Sequence, residues 1–261
     1  MTAASGDRDQ RINRLVELLN EYKFFIEFDL IFRSHQDFLY RQKGQLKLDN
    51  TVIEEFLPHL ITRAVPQLAD GYDLGPRSCF SSLYFGSSLN SLVDGGAPQV
   101  RRKDQDFAVA RTLFIKTSHN ADFSQSATVS THLGLVCAEC KTNLDKTMFQ
   151  EACATSHDVK SAVPGAKYFL LCEWLDMTPV STAATDIDEV LILRKSKRLG
   201  SNVRSKFSTL AGRDESAKDF ELFLRSNPFS ALVFRRLVDH VESMLNDVDP
   251  GESDVLAAGF F

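Results

Sequence analysis

The stretch LGLVCAECK, residues 133–141, constrains this chain more than any other. It is apolar until its last residues and reads as a strand. It is followed by a helical pattern over 145–160 (DKTMFQEACATSHDVK), which Pro164 and Gly165 close, and then by a second apolar strand over 167–175 (KYFLLCEWL). Earlier strands are expected at 79–85 and 106–116, and a fifth at 188–194. The order strand, strand, strand, helix, strand implies an α/β fold: a mixed central sheet with helices packed on it.

Helices flank this core in the sequence. Residues 1–8 read as a frayed terminus. From Gln10 to about Phe32 apolar residues recur every three or four, the period of an amphipathic helix. A second helix is expected over 50–64, capped by Asn50 or Thr51, with Glu54 at capping-box spacing from Thr51. Pro58 is expected to kink it and Pro66 to end it. Residues 71–76 (GYDLGP) read as a turn and 86–99 as a Ser/Gly/Asn/Pro loop. Two further helices are expected near 216–225 and 229–246, with a loose end after Asp247. No repeat, low-complexity tract or linker breaks the chain, so one domain over 1–261 is expected.

Composition narrows the function only slightly. A net charge of −5 argues against a nucleic-acid coat protein and leaves room for local basic patches. The five cysteines are odd in number, the start MTAASGDRDQ has no signal-peptide core, and no apolar run is long enough to span a membrane. A cytoplasmic protein with reduced thiols and no membrane partner is expected.

The chemistry concentrates where the 133–141 strand ends. Strand side chains alternate, so Glu139 and Lys141 share a face. Glu-x-Lys on a strand is usually a surface ion pair, but this one closes an apolar element. Upstream, Asp106 opens another apolar strand (KDQDFAV), placing a second carboxylate at a strand end. Phosphodiester hydrolysis needs an activated water and neutralised phosphate charge, which Mg²⁺ held by carboxylates supplies. Asp106 and Glu139, with the Cys140 carbonyl, are the expected metal ligands. Lys141 would orient the water and stabilise the phosphorane charge.

The pattern Asp106 … Glu139-x-Lys141 resembles the PD-(D/E)XK nuclease superfamily. The stretches KDQDFAV, AECKTNLDKTMFQEA, KYFLLCEWLDM and IEEFLPHL are similar to Type II restriction endonucleases of the two-subunit BbvCI-like group, over about residues 50–195. The resemblance implies a restriction-endonuclease-like core with helical additions at both ends, and Mg²⁺-dependent cleavage of double-stranded DNA. It also implies a dimer, or a heterodimer with a related subunit. Gln105, not proline, precedes Asp106, which leaves Asp104 on the same expected face as a rival first acid.

Other candidates have bland readings beside functional ones. Glu54 could support the metal or only cap its helix; Gln150 could touch a phosphate or be an exposed helix residue. Arg101, Arg102 and Lys103 form one basic cluster. Residues 194–206 hold Arg194, Lys195, Lys197, Arg198, Arg204 and Lys206 with no acid. Such runs are usually solvated, yet in a nuclease they suit DNA phosphates. Cys137 and Cys140 have CxxC spacing but should point to opposite sheet faces, against a shared zinc site. His119, His132 and His157 are expected to be structural or exposed. The alternatives are a repair or junction-resolving nuclease and a non-catalytic DNA-binding partner subunit.

Overall fold

The computed structural model describes residues 2–48, 51–86, 96–246 and 251–259. A five-stranded mixed sheet lies at its centre in the order β1-β2-β3-β4-β5. The strands are β1 (Asp73–Tyr84), β2 (Gln99–Ser118), β3 (Ser126–Leu144), β4 (Lys167–Leu175) and β5 (Glu189–Ile192). The first two pairings are antiparallel and the last two parallel. The mixed α/β architecture expected from the sequence is present.

Helices cover both faces. α1 (Thr2–Phe24) continues as a π-helical stretch, Phe25–Phe32, and is followed by short α2 (Asp37–Gln42) and then α3 (Thr51–Ala64). α4 (Lys146–Ala162) links β3 to β4; α5 (Ser201–Lys206), α6 (Leu210–Ser226), α7 (Ala231–Met244) and α8 (Glu252–Ala258) follow β5. One sheet face carries Phe107, Val109, Ala138, Cys140 and Leu171, packed with Ile12, Leu57 and Phe234 from α1, α3 and α7. The opposite face carries Ala108, Cys137, Tyr168 and Leu170 against α4. Cys137 and Cys140 thus sit on opposite faces, as strand alternation requires. Among the described residues no helix is long and apolar enough to cross a membrane.

Local chemistry explains the helix bounds. Asp145 caps α4 by accepting the Met148 N–H at 2.9 Å, and Phe149, Ala152, Ser156 and Val159 form its buried stripe. α3 ends at Ala64, and Pro66 opens a 3₁₀ turn, Pro66–Ala69. Pro58 lies inside α3; lacking an N–H, it leaves the Glu54 carbonyl without its helical donor. Asn50 lies outside the described residues, and the Thr51 hydroxyl donates to the Lys47 carbonyl at 2.8 Å.

Several expectations are corrected. The N-terminal helix starts at Thr2, not after residue 8, because Arg8 docks onto α7 through Asp239 at 2.9 Å and through Glu242. GYDLGP is not a turn beyond Tyr72: β1 begins at Asp73, and its Gly75 (φ 128°) and Pro76 serve an irregular edge strand. The hairpin of β2 and β3 is longer than its apolar parts, since paired polar residues extend it to Ser118 and Ser126. α2 and α5 have too few turns to leave an apolar period. The stretch after Asp247 was expected to be loose; residues 247–250 lie outside the described residues, and α8 follows them. Of the 86–99 loop, 87–95 lie outside the described residues.

Asp188 fastens the start of β4. It accepts the Tyr168 N–H at 2.7 Å and pairs with Lys160 at 2.6 Å and Lys167 at 3.4 Å. Burial alone would raise its carboxyl; Lys160 and the Tyr168 N–H outweigh that and hold it below the ordinary aspartate range. A depressed folded-state pKa contributes stability above the unfolded pKa and loses it as pH falls through the folded one. Asp188→Asn is therefore expected to destabilise the protein by about 1–3 kcal/mol at neutral pH. Urea unfolding at neutral and acid pH should show the gap narrowing in acid; a constant gap would remove the charge from the explanation.

Candidate active site

A strand irregularity places the first acid. Between the pairs Gly75↔Ala108 and Arg77↔Gln105, β1 contributes only Pro76 where β2 contributes Asp106 and Phe107. Pro76 has no N–H for the ladder, and a bulge opposite a proline is a tolerated solution. On its other side β2 pairs with β3 as far as Phe107↔Ala138, so Asp106 stands just where the two strands part. Its Oδ2 accepts the Cys140 N–H at 2.7 Å, replacing the missing backbone partner.

The two rival acids have different partners. Asp104 is exposed and bonds the Ser78 hydroxyl on β1, whereas Asp106 turns to β3.

β3 presents Glu139 and Lys141 together on the α4 side. Lys141 Nζ lies 2.6 Å from Glu139 Oε1, and the Tyr168 hydroxyl donates to Glu139 Oε2 at 3.2 Å. Within a strand, one residue's N–H and C=O face the same neighbour. The Cys140 carbonyl therefore faces the gap that holds Asp106.

Electrostatics bind these groups into one site. Burial, with the Glu139 charge, raises the Asp106 carboxyl, although the Cys140 N–H, Lys141 and Lys47 oppose the rise. Burial and then Asp106 raise Glu54, which α3 brings to the same edge. Burial alone would lower Lys141, but the hydrogen bond and charge of Glu139, with Asp106, hold its ammonium above the ordinary lysine range. Burial and Glu139 push the Tyr168 hydroxyl far up, so it stays a donor. Asp106, Glu139, Lys141, Cys140 and Glu54 are thus brought together. Gln150 is not: it is exposed on α4, and no hydrogen bond joins it to the site among the described residues.

Among the described residues no three His, Cys, Asp or Glu side chains form a ready metal cluster. The donors that converge are two carboxylates and one backbone carbonyl, an all-oxygen set that fits a hard divalent cation keeping several waters.

The basic residues separate into two kinds. Arg101 and Lys103 pair with Asp158 of α4 at 3.3 and 2.7 Å, and Arg102 donates to the Ser130 carbonyl, so this cluster is superficial but partnered. Lys195 and Lys197 are exposed, and Arg198 pairs with Asp176 at 3.3 Å. Arg194 is 6% exposed and leaves the group of candidate phosphate contacts. Its guanidinium binds Glu27 at 2.9 Å and Glu173 at 3.3 Å, and lies over the rings of Trp174 and Phe229.

Two residues at the site escape a reading of strand ends. Lys47 acts on Asp106 and Glu54 from the segment after α2; the run RQKGQLK (41–47), cationic and free of acids, was a usable signal. Tyr168 carries none, because a tyrosine within an apolar strand looks like core.

The sequence model of the Bpu10I restriction endonuclease family matches residues 45–261. Among solved structures, the chain is similar to one described as the native BbvCI A2B2 tetramer at low resolution, at 17% identity and a TM-score of 0.41. That match covers 86% of this chain and 92% of the other. No curated protein matches.

Proposed function

Because the chain belongs to the Bpu10I restriction endonuclease family, we propose that it is a Type II site-specific DNA endonuclease of the PD-(D/E)XK kind, folded as one nuclease domain. One juxtaposition supports this most: Asp106, freed by the bulge, reaches the Cys140 N–H beside the Glu139–Lys141 pair. Two partly buried carboxylates and a carbonyl edge meet a lysine held in its charged form, which suits phosphodiester hydrolysis better than a passive surface.

Asp106, Glu139 and the Cys140 carbonyl would hold Mg²⁺, with Glu54 as a further carboxylate nearby. Bound there, Mg²⁺ supplies a more acidic water and neutralises charge on the phosphate. The Tyr168 hydroxyl orients Glu139 through Oε2. Lys141 brings a positive charge to the phosphate oxygens once they draw it from Glu139. Cleaving both strands at one site calls for two such sites, so the chain would work as a dimer or with a related, non-identical subunit.

Calorimetric titration with Mg²⁺ or Mn²⁺ tests the metal assignment. Asp106→Asn is expected to weaken binding at least about tenfold, roughly 1.4 kcal/mol, while Asp104→Asn stays close to the wild type. The reverse order would move the first acid to Asp104. Since protons compete for a raised Asp106 carboxyl, wild-type binding should begin to fail on acidification above the ordinary aspartate range. No binding by the wild-type chain would favour a non-catalytic DNA-binding subunit.

A further inference from the structure

Beside the candidate catalytic residues lies a cavity of about 240 Å³ that the proposed chemistry does not use. Its floor includes Thr142, the residue after Lys141, and Trp174, which stands opposite Asn143 in the β3–β4 register. It therefore opens at the strand ends that carry Glu139 and Lys141, on the opposite face of β3. Aromatic rings enter from two helices, Tyr40 on α2 and Phe220 and Phe223 on α6.

The rim is cationic, carrying Arg41, Lys43, Arg198 and Arg204. Of the acids nearby, Asp176 pairs with Arg198 and Arg204, and Glu27 at the inner end is paired with Arg194 and Lys23. The charges of Lys43, Arg213, Arg204 and Arg198 all act on the Tyr40 hydroxyl. Among the described residues, the Tyr40 and Thr142 hydroxyls make no hydrogen bond. The segment that brings Arg41 and Lys43 to the rim continues to Lys47, whose charge acts on Asp106.

On the nuclease reading, we infer that this cavity takes a single nucleotide of the DNA strand being cut, its base among the aromatic rings and its phosphate on the rim cations. A bare phosphate has no use for aromatic walls, and an apolar ligand has none for a cationic rim; a nucleotide uses both. The volume lies below the roughly 300–1,000 Å³ of sites for larger ligands, as one base requires. The strand would run from the catalytic carboxylates past Lys47 and Thr142, with one base out of the stack, as enzymes do when a base must leave its duplex.

Trp174 is the only tryptophan in the chain and lines the cavity, so its fluorescence reports occupancy. The experiment titrates a short oligothymidylate into the wild-type protein without divalent metal, and in parallel a sugar–phosphate chain of the same length lacking bases. A duplex plasmid fragment serves as the control for DNA binding. The expected result is quenching of Trp174 by the oligothymidylate alone, with affinity at least about tenfold above the base-free chain. Tyr40→Phe and Lys43→Ala should each weaken oligothymidylate binding severalfold. Equal binding of the base-free chain, or binding without quenching, would overturn the inference while duplex binding leaves the nuclease reading standing. Failure to bind any of the DNAs would remove both.

Discussion

Glu139→Ala and Lys141→Ala are each expected to lower DNA cleavage by about 10²–10³-fold or more, with metal-free DNA affinity changed only slightly. On the proposed mechanism both side chains would act on the metal, the water and the phosphate charge rather than on the bulk of the DNA surface. The side chains are 18% and 27% exposed, so neither replacement should unfold the protein. Lys141→Ala leaves Glu139 its Tyr168 partner, and Glu139→Ala leaves the apolar face of β3 untouched. Cleavage rates under single-turnover conditions, with thermal unfolding as the control, separate loss of chemistry from loss of fold. Cleavage retained in either variant would remove these residues from the active site.

The second large effect is on stability. Arg194, Lys23, Glu27 and Glu173 form a buried charge cluster in which Lys23 lies 2.6 Å from Glu173 and Arg194 bridges both acids. Arg194 also donates to the Asn227 carbonyl at 2.9 Å, tying the end of β5 to the segment before α7. Removing one member strands the opposite charge in a medium that cannot solvate it. Arg194→Ala is therefore expected to cost about 3–5 kcal/mol, a large share of the roughly 5–15 kcal/mol that holds a domain together. Lys195→Ala and Lys197→Ala, on exposed side chains of the same run, should stay within about 0.5 kcal/mol. Urea unfolding reads the contrast. An Arg194→Ala protein that keeps its stability and loses DNA affinity would return Arg194 to the phosphate contacts.

The difference between these neighbours explains what the sequence could reveal. Elements with one strong period were legible: α3, α4 and β4 lie close to their expected ranges, since their buried residues recur at three to four positions or run continuously. Parity along β3 correctly put Cys137 and Cys140 on opposite faces. Parity could not choose between Asp104 and Asp106, whose different partners, the Ser78 hydroxyl and the Cys140 N–H, depend on neighbouring strands and on the irregularity opposite Pro76. Gly75 and Pro76 looked like a turn for the same reason; both residues suit an irregular edge strand as well as a turn. Arg194 looked solvated because its acids, Glu27 and Glu173, are distant in sequence and meet it only in the fold. Tyr168 joins the site through tertiary packing that no local pattern encodes, whereas the acid-free cationic run over 41–47 hints at Lys47.

The most direct test is incubation of supercoiled plasmid with the purified protein, alone and together with any related subunit that copurifies with it, in Mg²⁺ and in EDTA. Conversion to nicked or discrete linear DNA in Mg²⁺, and none in EDTA, is the result expected of an Asp106–Glu139–Lys141 nuclease. Plasmid that stays supercoiled in both, with DNA binding intact, would contradict it and leave a DNA-binding subunit without catalysis.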